Sequence, residues 1–235
     1  MNAYQNKRFS VLGDSVSTLY GYNPPDCGVF YTGERCFEAN VFAKRDTWWG
    51  RVIDSLGGEL LVNNSWSGSM VCRHPKCEIP SYGASDERTS SLGENGVTPD
   101  VVMVYLGIND WGAGMRIEPS VGEENDLSVF RVAYRVMLEK MKRNYPAAEI
   151  WCFTLGVSRC TAESAFRFPY QYAGTHIEEY CRIIRDCAAE RNCKTIDLYR
   201  ATSAGPYDTI DGFHPNAQGM ETIADAVVRL ATENP

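Results

Sequence analysis

Hydrolysis by a side-chain nucleophile needs four components. They are a hydroxyl or thiol at an exposed strand end, an imidazole to take its proton, a carboxylate to orient that imidazole, and donors for the oxyanion. Histidine is the scarce component here, with only three in 235 residues. His74 lies in a loop with Cys, Pro and Lys, and His176 stands where a helix begins. His214 sits in Asp211-Gly212-Phe213-His214-Pro215-Asn216, ahead of the last helix. An Asp three residues before a His in a tight loop can accept from Nδ1 and leave Nε2 facing outward, as a general base requires. The same pair can instead close a loop or cap a helix. Ser15, in Gly13-Asp14-Ser15-Val16-Ser17 directly after a strand-like run, reads either as a hydroxyl at a sheet edge or as part of a helix cap. Asn109, in Gly107-Ile108-Asn109-Asp110, offers an amide at the same edge or a turn residue. Gly68, after Asn63-Asn64-Ser65-Trp66-Ser67, lets a backbone N–H face a site without a side chain in the way, or is a loop glycine.

The elements that must position these residues are legible as changes of period. Five short apolar or β-branched runs recur: Phe9–Gly13, Leu60–Asn63, Val101–Gly107, Glu149–Leu155 and Lys194–Tyr199. The third is apolar on both faces, as expected of a strand between two helical layers. Between and after them the spacing becomes helical. Trp49, Val52, Ile53 and Leu56 follow an Asp46-Thr47 cap and stop at Gly57-Gly58. Leu127 to Met141, Ile177 to Ala188 and Met220 to Ala231 repeat the pattern. Strands alternating with helices predict right-handed crossovers and a single α/β domain over residues 1–235, a three-layer α/β/α sandwich on a five-stranded parallel sheet. Three long stretches, about Val16 to Arg45, Trp66 to Asp100 and Gly156 to Thr175, each follow the carboxyl end of a strand, where open parallel sheets bind ligands. Their aromatic content predicts ordered loops.

Ser15 after the first strand, Gly68 after the second, Asn109 after the third and His214 before the last helix occur in the order of the SGNH hydrolases, also called the GDSL esterase/lipase family, which the chain resembles from residue 9 to about 220. The Gly-Asp-Ser block is Gly13-Asp14-Ser15, with Val16 in place of Leu. The Gly-x-Asn-Asp block is Gly107 to Asp110, and the Asp-x-x-His block is Asp211 to His214. The resemblance implies a flavodoxin-like SGNH hydrolase fold and a serine esterase working through an acyl-enzyme. Ser15 would be the nucleophile, His214 the base and then the acid, and Asp211 its orienting carboxylate. The Ser15 and Gly68 N–H groups and the Asn109 amide would form the oxyanion hole. Asp14 and Asp110 are expected to fix turns. No Gly-x-Ser-x-Gly elbow surrounds Ser15, which disfavours the α/β-hydrolase fold.

Composition narrows the ligand. With 23 Lys+Arg against 30 Asp+Glu the net charge is −7, which argues against nucleic acid or an anionic membrane as partner. No apolar run reaches the ~18 residues of a membrane span, and no signal segment opens the chain, so a cytoplasmic location is expected. Nucleotide-binding glycine motifs are missing and no cofactor is expected. The nine cysteines are expected to be free thiols. Cys72-Arg73-His74-Pro75-Lys76-Cys77 fits no common zinc spacing, leaving loop packing or a Cys72–Cys77 pair, and no metal is expected. Trp66 and Trp111, beside the Gly68 and Asn109 blocks, are expected to bind substrate, since aromatic faces there suit sugar rings or acyl chains. Arg73, Arg88, Arg116 and Arg159 in the loops read as solvated charges or as readers of an anionic group. The expected substrate is a small-molecule or oligosaccharide ester, with a short acyl group such as acetyl on a carbohydrate. The alternatives are a lipid or thioester acylhydrolase, an acyltransferase on the same triad, and a carbohydrate-binding protein without turnover.

Overall fold

A computed structural model of the chain describes residues 3–74 and 82–233. Five parallel strands form the central sheet: β1 (Arg8–Gly13), β2 (Glu59–Ser65), β3 (Val101–Tyr105), β4 (Glu149–Phe153) and β5 (Lys194–Ile196), in the order β2-β1-β3-β4-β5. Four longer helices cover it: α1 (Trp48–Leu56), α2 (Phe130–Asn144), α3 (Ile177–Glu190) and α4 (Ala217–Glu233). Strand alternation divides the core into two layers. Val102 and Val104 of β3, with Leu12, Ile150 and Cys152, pack against α2 and α3. Val101, Met103 and Tyr105, with Phe9, Val11, Trp151, Phe153 and Ile196, face α1 and α4. All five residues of β3 are buried, as its two-sided apolar sequence predicts.

Local chemistry sets the ends of the elements. Thr47 caps α1 by accepting from the Gly50 N–H, and Gly57 closes it in a left-handed conformation. The His176 ring Nδ1 accepts from the Glu178 N–H and starts α3. Helix α2 begins at Phe130 rather than Leu127, because the Asp126 side chain takes the Ser128 N–H and its carbonyl takes the Val129 N–H, forming a turn first. Strand β5 ends at Ile196, where Asp197 caps the short helix Leu198–Ser203 by accepting from the Arg200 N–H.

Within their described residues, the three long stretches carry short elements of their own. Ser158–Cys160 pairs in parallel with Tyr207–Thr209, and Gln171–Tyr172 pairs with Thr175–His176 in a hairpin. The chain leaves β1 toward β2 on one side and leaves β3 toward β4 on the other. The order therefore reverses between β1 and β3, and the crevice beyond their carboxyl ends is the place such a sheet offers a ligand. Among the described residues no helix is long and apolar enough to cross a membrane. Eight cysteines there are free thiols, and Cys181 and Cys187 are buried in the α3 face as their spacing predicts. Cys77, and with it a Cys72–Cys77 pair, lies outside the described residues. No cluster of three or more metal-ligating side chains occurs among the described residues.

Candidate active site

Strand β1 runs into a single 3₁₀ turn, Ser15–Ser17, capped by Asp14, whose Oδ1 accepts the Val16 N–H at 3.0 Å. The turn is tight enough to require glycine before it: a Cβ on Gly13 would lie 2.6 Å from Ser17 Oγ and 2.9 Å from Ser65 Oγ. Both readings of this segment hold together, since Asp14 is the cap and Ser15 stands at the sheet edge. Burial pushes the Asp14 carboxyl up to about 7, against the Val16 N–H and the Arg88 cation.

Ser15 Oγ lies 2.8 Å from His214 Nε2, and His214 Nδ1 lies 2.7 Å from Asp211 Oδ2. With Nδ1–H donating to Asp211, Nε2 is left as the acceptor of the serine proton. Asp211 Oδ1 also accepts the His214 N–H (2.8 Å) and the Phe213 N–H (3.0 Å), so one carboxylate fixes both the ring and its backbone. Burial works to raise the Asp211 carboxyl, but the bonds from His214 and Phe213 outweigh it and bring it down to about 2. The loop has three further anchors. Gly212 N–H donates to Thr209 Oγ1, Ile210 N–H donates to His214 O, and the buried Tyr31 hydroxyl donates to Pro215 O at 2.7 Å.

Two oxyanion candidates follow β2 and β3: Asn109 borders one cavity with Ser15 and His214, and Gly68, which is not among that cavity's lining residues, directly precedes the Ser69 whose carbonyl holds the Asn109 amide. Gly68 has φ +77°, a left-handed conformation that glycine adopts without strain. Asn109 is in the first turn of the short helix Ile108–Gly112, and one N–H of its amide donates to Ser69 O at 2.9 Å, leaving the other for an incoming oxygen. Asp110 is fully buried, and its two oxygens accept the Val71 and Cys72 N–H groups at 2.8 and 2.9 Å, the turn-fixing part expected of it. Burial raises its carboxyl while those two N–H groups oppose the rise.

Ser15, His214 and Asn109 border a cavity of about 480 Å³. Its other walls are apolar, chiefly Val16, Met70, Ile108, Trp111, Tyr172 and Phe213. Trp111 is fixed there by an indole N–H bond to Thr175 O (3.1 Å) and by stacking on Phe168 at 5.9 Å. Trp66 does not join it, which corrects the sequence expectation. The Trp66 ring is 7% exposed and lies beneath the Arg88 guanidinium at 5.4 Å, so its neighbourhood in sequence to Gly68 does not carry its face to the cavity. Arg88 is likewise not a solvated charge; it is fully buried, and burial lowers it to about 10. Arg116 is engaged by Glu123 and Asp126, and Arg159 by Asp208.

Sequence reasoning did not place Phe30 at the site, nor the wall residues Met70, Ile108, Tyr172 and Phe213. Phe30 stacks on the His214 imidazole with 3.5 Å between ring centres and 8° between planes. It is held by its N–H bond to Thr18 Oγ1, and the Arg35 guanidinium lies 5.5 Å from its ring centre. No spacing rule links positions 30 and 214; only the aromatic richness of the first long loop hinted that something there would be used.

A family model for GDSL-like lipase/acylhydrolase matches residues 7–166, a span that contains Ser15, Gly68 and Asn109 and stops short of Asp211 and His214. A search of curated protein sequences gave no match. Among solved structures, a GDSL-like lipase from Bacteroides uniformis is 30% identical, covering 98% of this chain and 97% of its own with a TM-score of 0.73. One from Bacteroides ovatus is 25% identical, covering 98% and 100% with a TM-score of 0.72. The aryl esterase of M. smegmatis, at 19% identity, 97% and 99% coverage and a TM-score of 0.63, shares the fold. With the family match extending over most of the chain and the same sheet in these structures, the protein belongs to the GDSL-like lipase/acylhydrolase family of ester-bond hydrolases.

Proposed function

We propose that the protein is a serine esterase that cleaves a carboxylic ester through Ser15, His214 and Asp211. The observation that carries this reading is the unbroken chain Ser15 Oγ, His214, Asp211, with links of 2.8 and 2.7 Å, at the mouth of an apolar cavity. Ser15 Oγ attacks the carbonyl carbon while its proton passes to His214 Nε2, and Asp211 stabilises the imidazolium. The carbonyl oxygen, now anionic, is met by the Ser15 and Gly68 N–H groups and the free N–H of Asn109. His214 returns the proton to the leaving alcohol, giving an acyl-enzyme. Water then attacks that intermediate with His214 as base, releasing the acid and restoring Ser15.

We infer further that the substrate is a short acyl ester, such as acetyl, of a carbohydrate. Acetyl leaves most of about 480 Å³ to the alcohol, and the Trp111, Tyr172 and Phe213 faces suit a pyranose ring. A family two carbohydrate esterase from Clostridium thermocellum, 15% identical with a TM-score of 0.58, has a similar fold, which supports a carbohydrate ester as substrate. A second reading has a specific observation in its favour. The same walls offer few hydrogen-bond partners for hydroxyls and suit an aromatic or medium-length acyl chain.

Release of 4-nitrophenol from acetyl, butyryl and octanoyl esters, beside acetate release from acetylated xylose, tests both. Ser15→Ala is expected to lose at least on the order of 10³ in kcat. Undiminished turnover in that variant overturns the nucleophile. Octanoate preferred over acetate, with acetylated xylose untouched, overturns the carbohydrate reading in favour of the second.

A further inference from the structure

The arginine of the second long loop is the largest fully buried charged side chain among the described residues, and the mechanism above leaves it unused. Arg88 comes from the short helix Asp86–Ser90, which Ser85 caps by accepting the Arg88 N–H. Its side chain is 0% exposed. Nη1 donates to Ser69 Oγ at 2.6 Å, and Nη2 donates to Gly13 O at 3.0 Å and to Asn64 O at 2.8 Å. One face of the guanidinium rests on Trp66, and Nε–H has no partner among the described residues.

These three acceptors are not arbitrary positions. Gly13 O belongs to the residue two before Ser15, at the end of β1. Asn64 O is at the end of β2, and Ser69 directly follows Gly68. The Ser69 carbonyl is in turn the acceptor that holds the Asn109 amide at 2.9 Å. One planar cation therefore fixes the chain beside each of two backbone oxyanion donors, and through Ser69 it reaches the third. Taking a guanidinium wholly out of water is costly, and neutral oxygens compensate it less fully than a carboxylate partner would. An apolar side chain would fill the same space but would leave the Ser69 hydroxyl without this donor and take one donor from each strand-end carbonyl, Gly13 O keeping only the Trp66 N–H at 3.1 Å. The guanidinium fork matches the separate carbonyl and hydroxyl directions, which an ammonium group does not.

We propose that Arg88 is a positioning residue for the oxyanion hole, acting on Gly68 and Asn109 through Ser69 and on Ser15 through Gly13. This rests on the esterase reading, and donors aimed at the developing oxyanion act in the transition state rather than in substrate binding. Loosening them therefore lowers kcat and leaves KM nearly alone.

The test uses the full chain with 4-nitrophenyl acetate and compares wild type, Ser69→Ala, Arg88→Lys, Asn109→Ala and the Ser69→Ala/Asn109→Ala pair. Thermal midpoints and inhibition by an alkylboronic acid, which forms a tetrahedral adduct on serine, are measured alongside. Ser69→Ala and Arg88→Lys are each expected to lower kcat by roughly 10- to 100-fold with KM within about twofold, and to weaken boronate inhibition in parallel. In the Asn109→Ala background the Ser69→Ala loss shrinks by at least about threefold to the share that acts through Gly68, since the part acting through the Asn109 amide is already gone. If Ser69→Ala keeps kcat within about twofold of wild type, or its loss is undiminished in the Asn109→Ala background, the proposal is overturned. Should Arg88→Lys fail to fold, Ser69→Ala decides alone, because it removes one hydroxyl and no charge. Turnover by wild type against Ser15→Ala reports separately on the esterase reading: Ser15-dependent turnover with an unaffected Ser69→Ala defeats this proposal and leaves that reading standing.

Discussion

At the scale of single residues, the stacking of Phe30 on His214 holds the plane of the imidazole between Ser15 and Asp211. Phe30→Ala should therefore lower kcat/KM for 4-nitrophenyl acetate up to about tenfold through a less firmly held ring. Phe30→Tyr keeps the ring and should stay within about twofold of wild type. Unchanged kcat/KM in Phe30→Ala would show that the bonds to Asp211 and Ser15 hold the ring without the stack. That His214, Asp211 and Ser15 could be named from sequence while Phe30 could not has a physical reason. A proton relay constrains residue type, and the order of the Gly-Asp-Ser, Gly-x-Asn-Asp and Asp-x-x-His blocks, through the family resemblance they carry, singled out these three, whereas any aromatic in any loop can supply a π face.

At the scale of elements, the period of the apolar residues located the five strands of the central sheet and the four long helices, because each must bury a face or a stripe, and missed the short paired strands of the loops. What it could not give were the ends, which side chains decide: the Asp126 turn delays α2 and the Asp197 cap cuts β5 short. It also could not orient a loop residue. Trp66 and Trp111 looked alike beside their motifs, yet Trp111 was drawn to the cavity by Phe168 and Thr175, while Trp66 was covered by Arg88. The starts of β1 and β3 are joined by another contact of this kind. Asp100 accepts from Arg8 Nε (2.8 Å), Arg8 Nη2 (3.1 Å) and the Arg8 N–H (2.9 Å), and its own N–H donates to Arg8 O. The Arg8 hydrogen bonds bring the Asp100 carboxyl down to about 2. A carboxyl lowered by folding stabilises the native state above its unfolded value near 4, and that contribution is lost as pH falls through about 2. The pair is substantially solvated, so Asp100→Asn should cost only about 1 kcal/mol near neutral pH, or roughly 2–4 °C in Tm. The gap between variant and wild type should close as pH falls from about 4 to about 2. A gap that stays constant over that interval would mean that the side-chain charge contributes nothing and the backbone bonds carry the junction.

For the molecule as a whole, the sheet order explains why Ser15, Asn109 and His214, scattered over the chain, border one cavity, with Gly68 on the same side of the sheet: Ser15, Gly68 and Asn109 follow adjacent strands at one edge, and His214 precedes the last helix. This much followed from chain order alone, since a parallel sheet puts every strand's carboxyl end on the same side. The net charge of −7 acts at the same scale and has a measurable effect. The lining of the cavity carries no lysine or arginine to offset it. An anionic ester therefore approaches against the field of the whole molecule, while a neutral one does not feel it. Raising ionic strength from about 0.01 to 0.5 M shortens the screening length from roughly 30 Å to a few ångströms. The expected result is a several-fold rise in kcat/KM for a 4-nitrophenyl hemiester of glutarate, with 4-nitrophenyl butyrate unchanged. The comparison holds acyl length nearly constant and varies only the charge, so a flat response for both esters would mean that the acidic groups lie too far from the mouth of the cavity to act on it. A rise for the hemiester alone, carried by KM rather than kcat, would place the repulsion in the approach and not in the chemistry, as a cavity without cationic walls requires.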